Sequence, residues 1–508
     1  MSSTKVNTDL ASRSNERFVY LGLFGLLLLS IVCRLALTLN REIDIDEFQH
    51  LHAAWMVSRH YLLYRDFWEN HTPLFYYLLI PLFRLVREGP GLVILARIIM
   101  SCAGLVILVL VYILARIDHD RRTSFLAVLI LSYMVIFVEK SIEVRPDQIL
   151  ICFWLTSLWM TIRSITRRHR LGLLLAGGLL GIAFLFSPKA LLPFTAMCIT
   201  FAVVSFMERS RYGFTGLAKL VGLYALGFMV PIAMCLALFY QAGALKAMLT
   251  FTLLENLKYP DRFRPAYLLY LRNSCFFILA GAGLFMHVRN LRRGLIRVSA
   301  SRLLVLVPSL LLFVIFVFIE AAPYPQSVLL FAPLLAIYGA EAFRSSLDKV
   351  IQIGSGSSEL FSGYWRERWY KLSLFALALL AGLVIPGAML LLKARPFSRT
   401  NAEQFKRLEY VLRVTRPNDA VFDGESAYIF RRQAYFYSPF FRAVLWRIEH
   451  GEIQQSIPQS LTDTRCGVVI YDERVAMLPA STQSFLRANY APSAEPLVYL
   501  AKNAARVK

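Results

Sequence analysis

The chain has 508 residues, of which 57% are apolar and 17% charged, and its formal charge at pH 7 is +22. A soluble protein of this length carries about 25% charged residues and lacks long apolar runs, so the composition excludes a cytosolic enzyme and a disordered scaffold. Much of the excess of Lys and Arg lies in loops between apolar runs, where it sets orientation in a bilayer, and no nucleic-acid partner is expected. We therefore predict a mainly α, polytopic membrane protein.

Apolar runs recur from near the N-terminus to about residue 393. A spanning helix needs about 20 predominantly apolar residues to cross about 30 Å of hydrocarbon. The first run has no small-residue cleavage site after it, so we predict an uncleaved span rather than a signal peptide. The fifth and sixth runs meet at Ser187-Pro188-Lys189, and one long kinked stretch is the alternative there. Eleven spans are predicted: 18–39, 92–115, 123–138, 147–162, 171–187, 189–207, 217–240, 266–288, 303–319, 325–343 and 371–393.

The charges of the loops predict which side of the membrane each loop occupies. Lys and Arg accumulate in cytoplasmic loops. With a cytoplasmic N-terminus every inner loop is basic, as in the loop that contains Arg163, Arg167, Arg168 and Arg170. An odd number of spans then puts the C-terminus outside the cell. A bacterial type of inner (plasma) membrane is the expected location.

Residues 394–508 have a different pattern. They contain no spanning run and alternate between helical and strand-like stretches: NAEQFKRLEYVLRV, AVFDG, a helix near SPFFRAVLWRIEH, CGVVIYD, a helix around STQSFLRANY, and PLVYL. That order is typical of a small α/β domain. We predict a membrane domain over 1–393 and an extracytoplasmic α/β domain over 394–508. An aromatic and basic patch of the latter is expected to pack against the membrane domain: Tyr435, Phe436, Tyr437, Phe440, Phe441, Arg442 and Trp446.

Carboxylates gather in the predicted outer loops. They are Glu42, Asp44, Asp46, Glu47, Asp66 and Glu69 in the first, and Glu139, Glu143 and Asp147 in the second. Carboxylates are costly near hydrocarbon and tend to be functional where they gather. The first outer loop, 40–91, is also longer than a connector needs to be and contains two amphipathic stretches suited to the membrane interface. The functional site is therefore predicted at the outer face.

The same loop carries motifs of a known superfamily. They are the pair Asp46-Glu47 after the first span, the turn Tyr64-Arg65-Asp66, and the segment from Glu69 to Pro73-Leu74. Further matches are EVRPDQILICFW at 143–154, GIAFLFSPKALLPF at 181–194, and the Pro-Tyr-Pro to FAPLLAIYGA segment at 323–340. In this order the motifs resemble the GT-C-fold glycosyltransferases, which include protein O-mannosyltransferases, lipid A aminoarabinose transferases and Rgt-type lipopolysaccharide sugar transferases.

The resemblance implies a reaction in the cell envelope. A sugar is carried by a polyprenyl phosphate at the outer face, and a hydroxyl of a glycan, lipid or protein acceptor attacks its anomeric carbon with inversion. A carboxylate takes the hydroxyl proton, and cations neutralise the charge growing on the leaving phosphate. A transporter or lipid flippase is the alternative function. It would be expected to carry ionisable residues at the bilayer midplane and repeated, broken helices, whereas this sequence has its acids in outer loops and no repeat.

Four carboxylates are candidate catalytic residues: Asp46, Glu47, Glu69 and Asp147. The resemblance marks Asp46 as the base, by its place in the Asp-Glu pair. For Glu47 the alternative is that it caps or orients the following helix. Asp-Ile-Asp-Glu before a helix is also an ordinary acidic helix start, without any catalytic role.

The candidate cations for the lipid phosphate are Lys189, Arg145, Lys258, Arg262 and Arg264. Fixed cations near the outer bilayer surface bind a lipid phosphate by charge and hydrogen bonds. The alternative for each is snorkelling, in which a long side chain at a helix end reaches for water. Snorkelling is also our interpretation of Arg34, Arg97 and Arg272, which lie near the ends of predicted spans.

A divalent metal is compatible with the sequence but not required by it. Its candidate ligands are Glu69, His71 and Asp147, of which the carboxylates suit a hard cation. In the aminoarabinose transferases the segment at Glu69 runs Glu-Lys-Pro-Pro, whereas here it is Glu69-Asn70-His71-Thr72-Pro73, without the lysine. His71 could replace that cation, bind a metal, or serve as a plain hydrogen-bonding residue.

Overall fold

Helices make up most of the protein. The computed structural model describes residues 2–208, 213–255, 273–319, 324–354, 381, 385 and 400–502. The predicted span 371–393 lies outside these residues except at positions 381 and 385. The candidate phosphate ligands Lys258, Arg262 and Arg264 lie outside them altogether, and so does Arg272.

The described part of the first 354 residues contains fourteen α-helices. They are α1 (Ser2–Asn40), α2 (Ile45–Ser58), α3 (Leu74–Leu85), α4 (Pro90–Ala115), α5 (Arg121–Ser132), α6 (Val135–Lys140), α7 (Pro146–Arg167), α8 (Arg170–Phe186), α9 (Leu191–Met207), α10 (Gly213–Gln241), α11 (Leu245–Leu249), α12 (Ser274–Arg292), α13 (Ala300–Val314) and α14 (Ala332–Gly354). Short 3-10 turns at Pro188–Ala190 and Pro325–Leu330 precede α9 and α14, and π-helical turns follow α11 and α13 at Thr250–Leu254 and Ile315–Ile319.

Seven helical segments of the described chain are long and apolar enough to cross a membrane. They are Leu21–Asn40, Pro90–Ala115, Pro146–Arg167, Pro188–Met207, Thr215–Gln241, Ser274–Arg292 and Ala300–Phe318, and each coincides with one of the eleven predicted spans. The predicted span 123–138 is wrong as a single helix, because α5 and α6 are separate helices of 12 and 6 residues. The runs that meet at residues 187–189 are two helices, since Ser187 is extended between them.

Helices α8 and α10 pack backbone to backbone because glycine removes the side chains where they meet. A Cβ atom added to Gly177 of α8 would clash with the Tyr224 carbonyl oxygen of α10. One added to Gly227 of α10 would clash with the Leu174 carbonyl oxygen of α8. Small residues allow this close approach of membrane helices, and the resulting van der Waals contact holds the pair together.

The C-terminal region is a small α/β unit. Its elements are α15 (Ala402–Val414), β1 (Ala420–Phe422), β2 (Arg432–Gln433), α16 (Arg442–Glu449), α17 (Ile457–Asp463), β3 (Val468–Ile470), α18 (Glu473–Ala476), α19 (Ala480–Asn489), β4 (Tyr490–Pro492) and β5 (Val498–Ala501). The strands form one sheet in the order β2-β1-β3-β5-β4, parallel from β2 to β3 and antiparallel from β3 to β4. The predicted α/β character is confirmed, although β2, β4, α17 and α18 were not expected. The boundary at residue 394 stays a prediction.

This α/β unit rests on the loop between α1 and α4. The Gln404 side chain exchanges hydrogen bonds with the backbone of Ile43, at 2.8 and 3.0 Å. The buried His52 ring of α2 lies 2.8 Å from the Ile429 carbonyl oxygen and packs edge-on against Tyr428. The C-terminal unit therefore contacts both α2 and the segment that precedes it.

Candidate active site

Helix α2 begins with a capping box built from the acidic start of the sequence. Asp44 is the N-cap residue, in an extended conformation, and its carboxylate accepts a hydrogen bond from the Asp46 backbone at 3.1 Å. Glu47 reaches back and accepts from the Asp44 backbone N–H at 2.9 Å. Each carboxylate satisfies a backbone N–H that the helix itself leaves unpaired. The capping alternative for Glu47 is therefore what the structure shows.

The Glu47 carboxylate is also half of a fully buried ion pair. Both of its oxygens accept from the Arg97 guanidinium, at 2.5 and 2.8 Å, and one also accepts from the Val144 backbone at 3.0 Å. Both side chains are 0% exposed, so the snorkelling interpretation of Arg97 is wrong. It is wrong for Arg34 as well, whose buried guanidinium donates to Ser141 at 2.6 Å. Glu47 thus ties α2 to α4 and has no oxygen left for a substrate.

Arg145, which immediately precedes α7, gathers three carboxylates. Its Nη2 atom lies 2.7 Å from Asp44, its Nε atom lies 2.5 Å from Glu143, and its Nη1 atom donates to the Asp46 Oδ2 atom. Lys140 approaches the same Glu143 carboxylate at 2.8 Å. All three guanidinium nitrogens face carboxylates, so the main effect of Arg145 is to fix the charged start of α2 against the start of α7.

The cluster keeps Asp46 charged. Burial is the largest single influence and raises the pKa of the Asp46 carboxyl, but Arg145, His71 and Lys140 together outweigh it and leave that pKa below its ordinary value. In Glu143 burial likewise raises the pKa, and the charges of Arg145 and Lys140 bring it down to about 2. For Asp44 burial prevails, and its pKa is raised. None of the described residues donates a hydrogen bond to the Asp46 Oδ1 atom, and 31% of the side chain is exposed. Asp46 is therefore an ionised carboxylate with a free oxygen.

Glu69 holds the neighbouring histidine rather than facing solvent. Its side chain is 1% exposed and accepts from the Gln49 amide at 2.8 and 3.0 Å and from the backbone N–H groups of Asn70 and His71 at 2.9 and 3.1 Å. The His71 Nδ1 atom lies 2.7 Å from the same carboxylate. The Glu69 carboxylate is thus enclosed by donors from its own loop and from α2. Its effect is to orient the His71 ring, whose side chain is 31% exposed.

Asp147 and Lys189 form a second, more open ion pair. Asp147 lies in the first turn of α7, and Lys189 lies in the 3-10 turn before α9. The Lys189 Nζ atom donates to Asp147 at 2.7 Å and lies 6.0 Å from the centre of the Tyr324 ring. The lysine side chain is 28% exposed, compared with 9% for its partner. Lys189 is thus a fixed cation that an anionic ligand can still reach.

The three candidate metal ligands do not come together. Glu69 and His71 are in contact, whereas Asp147 is paired with Lys189. Within the residues that the structure describes, no three His, Cys, Asp or Glu side chains are grouped so as to hold a metal ion. The metal set proposed from the sequence is therefore not assembled here, and no step is assigned to a metal.

One face of α2 supplies residues that sequence reasoning missed. Gln49 binds Glu69, and the buried His50 ring lies 4.7 Å from the His71 ring, with its Nδ1 atom 3.2 Å from the Tyr76 hydroxyl. Burial, then the positive neighbours His71 and Arg145, lower the pKa of His50 well below its ordinary value, so it is neutral near pH 7. Asp46, Gln49 and His50 are spaced i, i+3 and i+4, the spacing of one helix face, which was the available signal.

The C-terminal unit fixes the loop that carries Glu69. The backbone N–H of Trp68 donates to the Phe436 carbonyl at 3.0 Å, and the Trp68 indole donates to Glu255 at 3.1 Å. Glu255 in turn pairs with Arg447 at 2.8 Å. The Trp68 ring also lies 6.2 Å from the Phe441 ring. The aromatic patch predicted to pack against the membrane domain does so at Phe436 and Phe441.

Part of the chain matches a known protein family, and the fold is similar to that of known membrane proteins. Residues 70–251, which include Asp147 and Lys189, match a family model described as dolichyl-phosphate-mannose-protein mannosyltransferase. No curated protein matches the chain in sequence. The structure is similar to that of ArnT from Cupriavidus metallidurans bound to undecaprenyl phosphate, with a TM-score of 0.57 and 15% identity, over 82% of this chain and 85% of that one.

A second group of similar structures is archaeal. The oligosaccharyltransferase AglB from Archaeoglobus fulgidus, in complex with an inhibitory peptide and a dolichol-phosphate, has a TM-score of 0.54 and 13% identity, over 89% of this chain and 69% of that one. Both neighbours have the GT-C fold. This chain has the GT-C fold. At such low identities the likeness establishes the architecture, and it confirms the fold predicted from the first outer loop.

Within the GT-C fold of this chain, the candidate site residues that the structure describes lie at one end of the helices. Asp46, Arg145, Asp147 and Lys189 surround the starts of α2, α7 and α9. His71 lies near enough for its charge to act on Asp46. The sequence therefore identified residues that the fold brings together, although it did not reveal which carboxylates already accept hydrogen bonds from neighbouring groups.

Proposed function

We propose that this protein transfers a sugar from a polyprenyl-phosphate-linked donor to an acceptor hydroxyl at the outer face of the membrane. The observation that carries the proposal is the Asp46 carboxylate, which is ionised, partly exposed and free at one oxygen while its neighbours are occupied. A general base needs such an oxygen within hydrogen-bond reach of the hydroxyl. Asp46 would take the acceptor proton as the oxygen attacks the anomeric carbon.

The leaving group is a lipid phosphate, and its charge needs a cation. Lys189 supports this role because its ammonium is paired with Asp147 while its side chain is 28% exposed. A preorganised cation stabilises charge that develops as the bond to the sugar breaks. Arg145 contributes positive potential to the same region, but its nitrogens already bind carboxylates. Lys258, Arg262 and Arg264 remain candidates from the sequence.

The donor class is supported by the relatives. The ArnT structure contains undecaprenyl phosphate, and the AglB structure contains a dolichol-phosphate and a peptide. The matching family model is described by a dolichyl-phosphate sugar. We extend the lipid phosphate to this chain, with a glycan, lipid or protein acceptor. An attack opposite to the leaving phosphate makes the reaction inverting.

The proposed orientation follows the loop charges. The N-terminus lies in the cytoplasm, and the α/β domain over 394–508 lies outside an inner membrane, next to the site that it braces through Trp68. Basic residues accumulate in cytoplasmic loops, which supports this direction. The polytopic membrane domain over 1–393 would then present Asp46 and Lys189 at the outer leaflet.

The experiment is a donor panel. Purified protein is incubated with several polyprenyl-phosphate sugars and, separately, with nucleotide sugars, and the released polyprenyl phosphate and glycosylated acceptor are measured. We expect stoichiometric release and glycosylation with at least one lipid-linked donor. Equal turnover with nucleotide sugars alone would overturn the donor class. Movement of intact lipid-linked sugar across a vesicle membrane, without release, would favour a flippase.

A further inference from the structure

A basic pocket lies at the opposite end of the helices from the candidate active site. Its volume is about 280 Å³, and it is formed by the end of α7, the start of α8 and the first turns of α10. Its charged or polar lining residues include Arg168, His169, Arg170 and Lys219, and its apolar lining residues include Leu173 and Leu223. None of these residues has a role in the reaction proposed above.

The length of α7 separates the two regions. Asp147 lies in its first turn, and Arg167 is the last of its 22 residues. At 1.5 Å per residue the helix spans about 33 Å, which is close to the thickness of the bilayer core. Near the pocket end the Arg163 guanidinium stacks over the Trp159 ring at 4.8 Å. Trp is enriched at the membrane interface, so the pocket lies at headgroup depth in the other leaflet.

The cations of the pocket have no carboxylate partner in the part of the chain that the structure describes. Arg168, Arg170 and Lys219 are exposed, and within the described residues none of them forms an ion pair with a carboxylate. Arg168 is held in a left-handed conformation, with φ of 56°, at the turn between α7 and α8. His169 caps α8 by accepting from the Gly172 backbone at 3.0 Å. The positive end of α8 adds to the same field.

Part of the pocket lining is apolar, and we call this part the floor. It consists of Ile165, Leu173, Leu220 and Leu223. The close contact of α8 with α10 at Gly177 and Gly227 lies next along these helices, so the floor ends where their backbones meet. Leu171 and Leu175 on α8 are 56% and 51% exposed, as residues facing hydrocarbon would be. A cationic rim over an apolar floor matches an anionic headgroup with acyl chains attached.

We propose that this pocket binds an anionic phospholipid of the leaflet opposite to the candidate active site. The headgroup phosphate is held by Arg168, Arg170 and Lys219, and an acyl chain lies against Leu173 and Leu220. Basic pockets between membrane helices bind acidic lipid headgroups by this combination of charge and packing. A free phosphate would leave the apolar floor unused, so the lipid is the occupant.

The test measures lipid affinity in the intact purified protein. Detergent-solubilised protein is titrated with fluorescent phosphatidylglycerol, and the dissociation constant is compared with that of a triple variant, Arg168→Gln, Arg170→Gln and Lys219→Gln. Each lost cation contributes about 1 kcal/mol near an anionic lipid, so binding should weaken at least about tenfold. Arg167→Gln is the control, because it removes one neighbouring charge, at the last residue of α7 and outside the pocket lining, and should change affinity less than about twofold.

Four results would overturn the proposal. One is equal affinity in the wild type and the triple variant, with circular dichroism showing that both are folded. Another is an equal loss in Arg167→Gln, which would mean that general loop charge attracts the lipid. Phosphatidylcholine binding as tightly as phosphatidylglycerol would remove the role of charge. Displacement of phosphatidylglycerol by equimolar inorganic phosphate would identify a free anion as the occupant. None of these readouts depends on sugar transfer.

Discussion

Carboxylates of the same loop differ in how far their oxygens are occupied and exposed. Glu47 accepts hydrogen bonds at both oxygens, from Arg97 and two backbone groups, and the buried Glu69 accepts from Gln49, His71 and the local backbone. Asp46 has one oxygen on Arg145 and one free. A saturated carboxylate stabilises structure, whereas a charged carboxylate with a free oxygen can accept a proton from a substrate.

Loss of Glu47 should destabilise the protein strongly. Glu47→Ala leaves the fully buried Arg97 unpaired, which typically costs about 3–5 kcal/mol of folding free energy. Asp66→Ala is the control, because its pair with Arg65 is exposed and contributes only about 0–1 kcal/mol. Thermal unfolding of both variants in the same detergent measures the difference. A wild-type unfolding temperature for Glu47→Ala would mean that the buried pair does not hold α2 on α4.

Lys189 should contribute to donor use. Lys189→Gln removes a charged hydrogen bond to the phosphate, a loss of about 1.5–3 kcal/mol, which corresponds to roughly 10- to 150-fold in kcat/KM for the donor. Lys246→Gln is the matched control, since Lys246 is an exposed lysine at the start of α11. Steady-state kinetics with varied lipid donor give both values. Equal kinetics in the two variants would show that Lys189 only pairs with Asp147.

At the scale of elements, the site depends on how the segment 141–145 meets α2. Glu143 is fully buried and binds Lys140, Arg145 and Arg41. Arg145 then binds Asp44 and Asp46 at the start of α2. The segment between α6 and α7 therefore holds the start of the helix that carries the proposed base through ion pairs. The strength of these ion pairs depends on the ionisation of Glu143.

The ion pairs of Glu143 should weaken in acid. The pKa of Glu143 falls from an ordinary 4.5 to about 2 in the folded protein. Its stabilising contribution is therefore complete above about pH 4.5 and is lost as the pH falls towards about 2. The difference in unfolding free energy between the wild type and Glu143→Gln should be largest near neutral pH and shrink below about pH 4.5. Isothermal denaturation at several pH values measures this difference in unfolding free energy. A difference that stays constant with pH would contradict the stabilising role of the ionised Glu143 carboxylate.

Local sequence signals predicted the elements but not their partners. Apolar runs predict spans well because every backbone group in hydrocarbon must be paired within a helix. The break between α5 and α6 at Tyr133 was missed because the run stays apolar across it. The two-residue strand β2 is too short to give a periodic signal. The pair of Glu47 with Arg97 joins residues 50 apart, and the bond between Arg145 and Asp46 joins residues 99 apart, which no local pattern encodes.

The whole molecule has two chemically different ends. One end carries the carboxylates, Lys189 and the α/β unit, and the other carries the basic pocket at the start of α8. The GT-C fold was predictable as a whole because motifs and spans agreed in order. The role of the α/β unit was less predictable, since its support for Trp68 comes from contacts about 370 residues apart in the chain.

The topology should place the first loop and the α/β unit on the same side. Single cysteines introduced at Ser58 and Ser481 in intact cells should both react with an impermeant reagent, because both lie at the predicted outer end. A cysteine in place of Arg167, at the far end of α7, is the control and should react only after permeabilisation. Labelling of one of the first two positions without the other would contradict this arrangement.

The measurement that tests the central claim most directly is sugar transfer by Asp46→Asn. Asn is nearly the same size as Asp, the N-cap residue Asp44 stays in place, and Arg145 keeps its bonds to Asp44 and Glu143, so the variant should fold, insert and bind the lipid donor. Loss of a general base typically slows a reaction about 10²- to 10⁴-fold. We predict transfer from the polyprenyl-phosphate sugar at least about a hundredfold slower than in the wild type, with unchanged donor affinity. Near-normal transfer by the folded variant would contradict the account and remove Asp46 as the base.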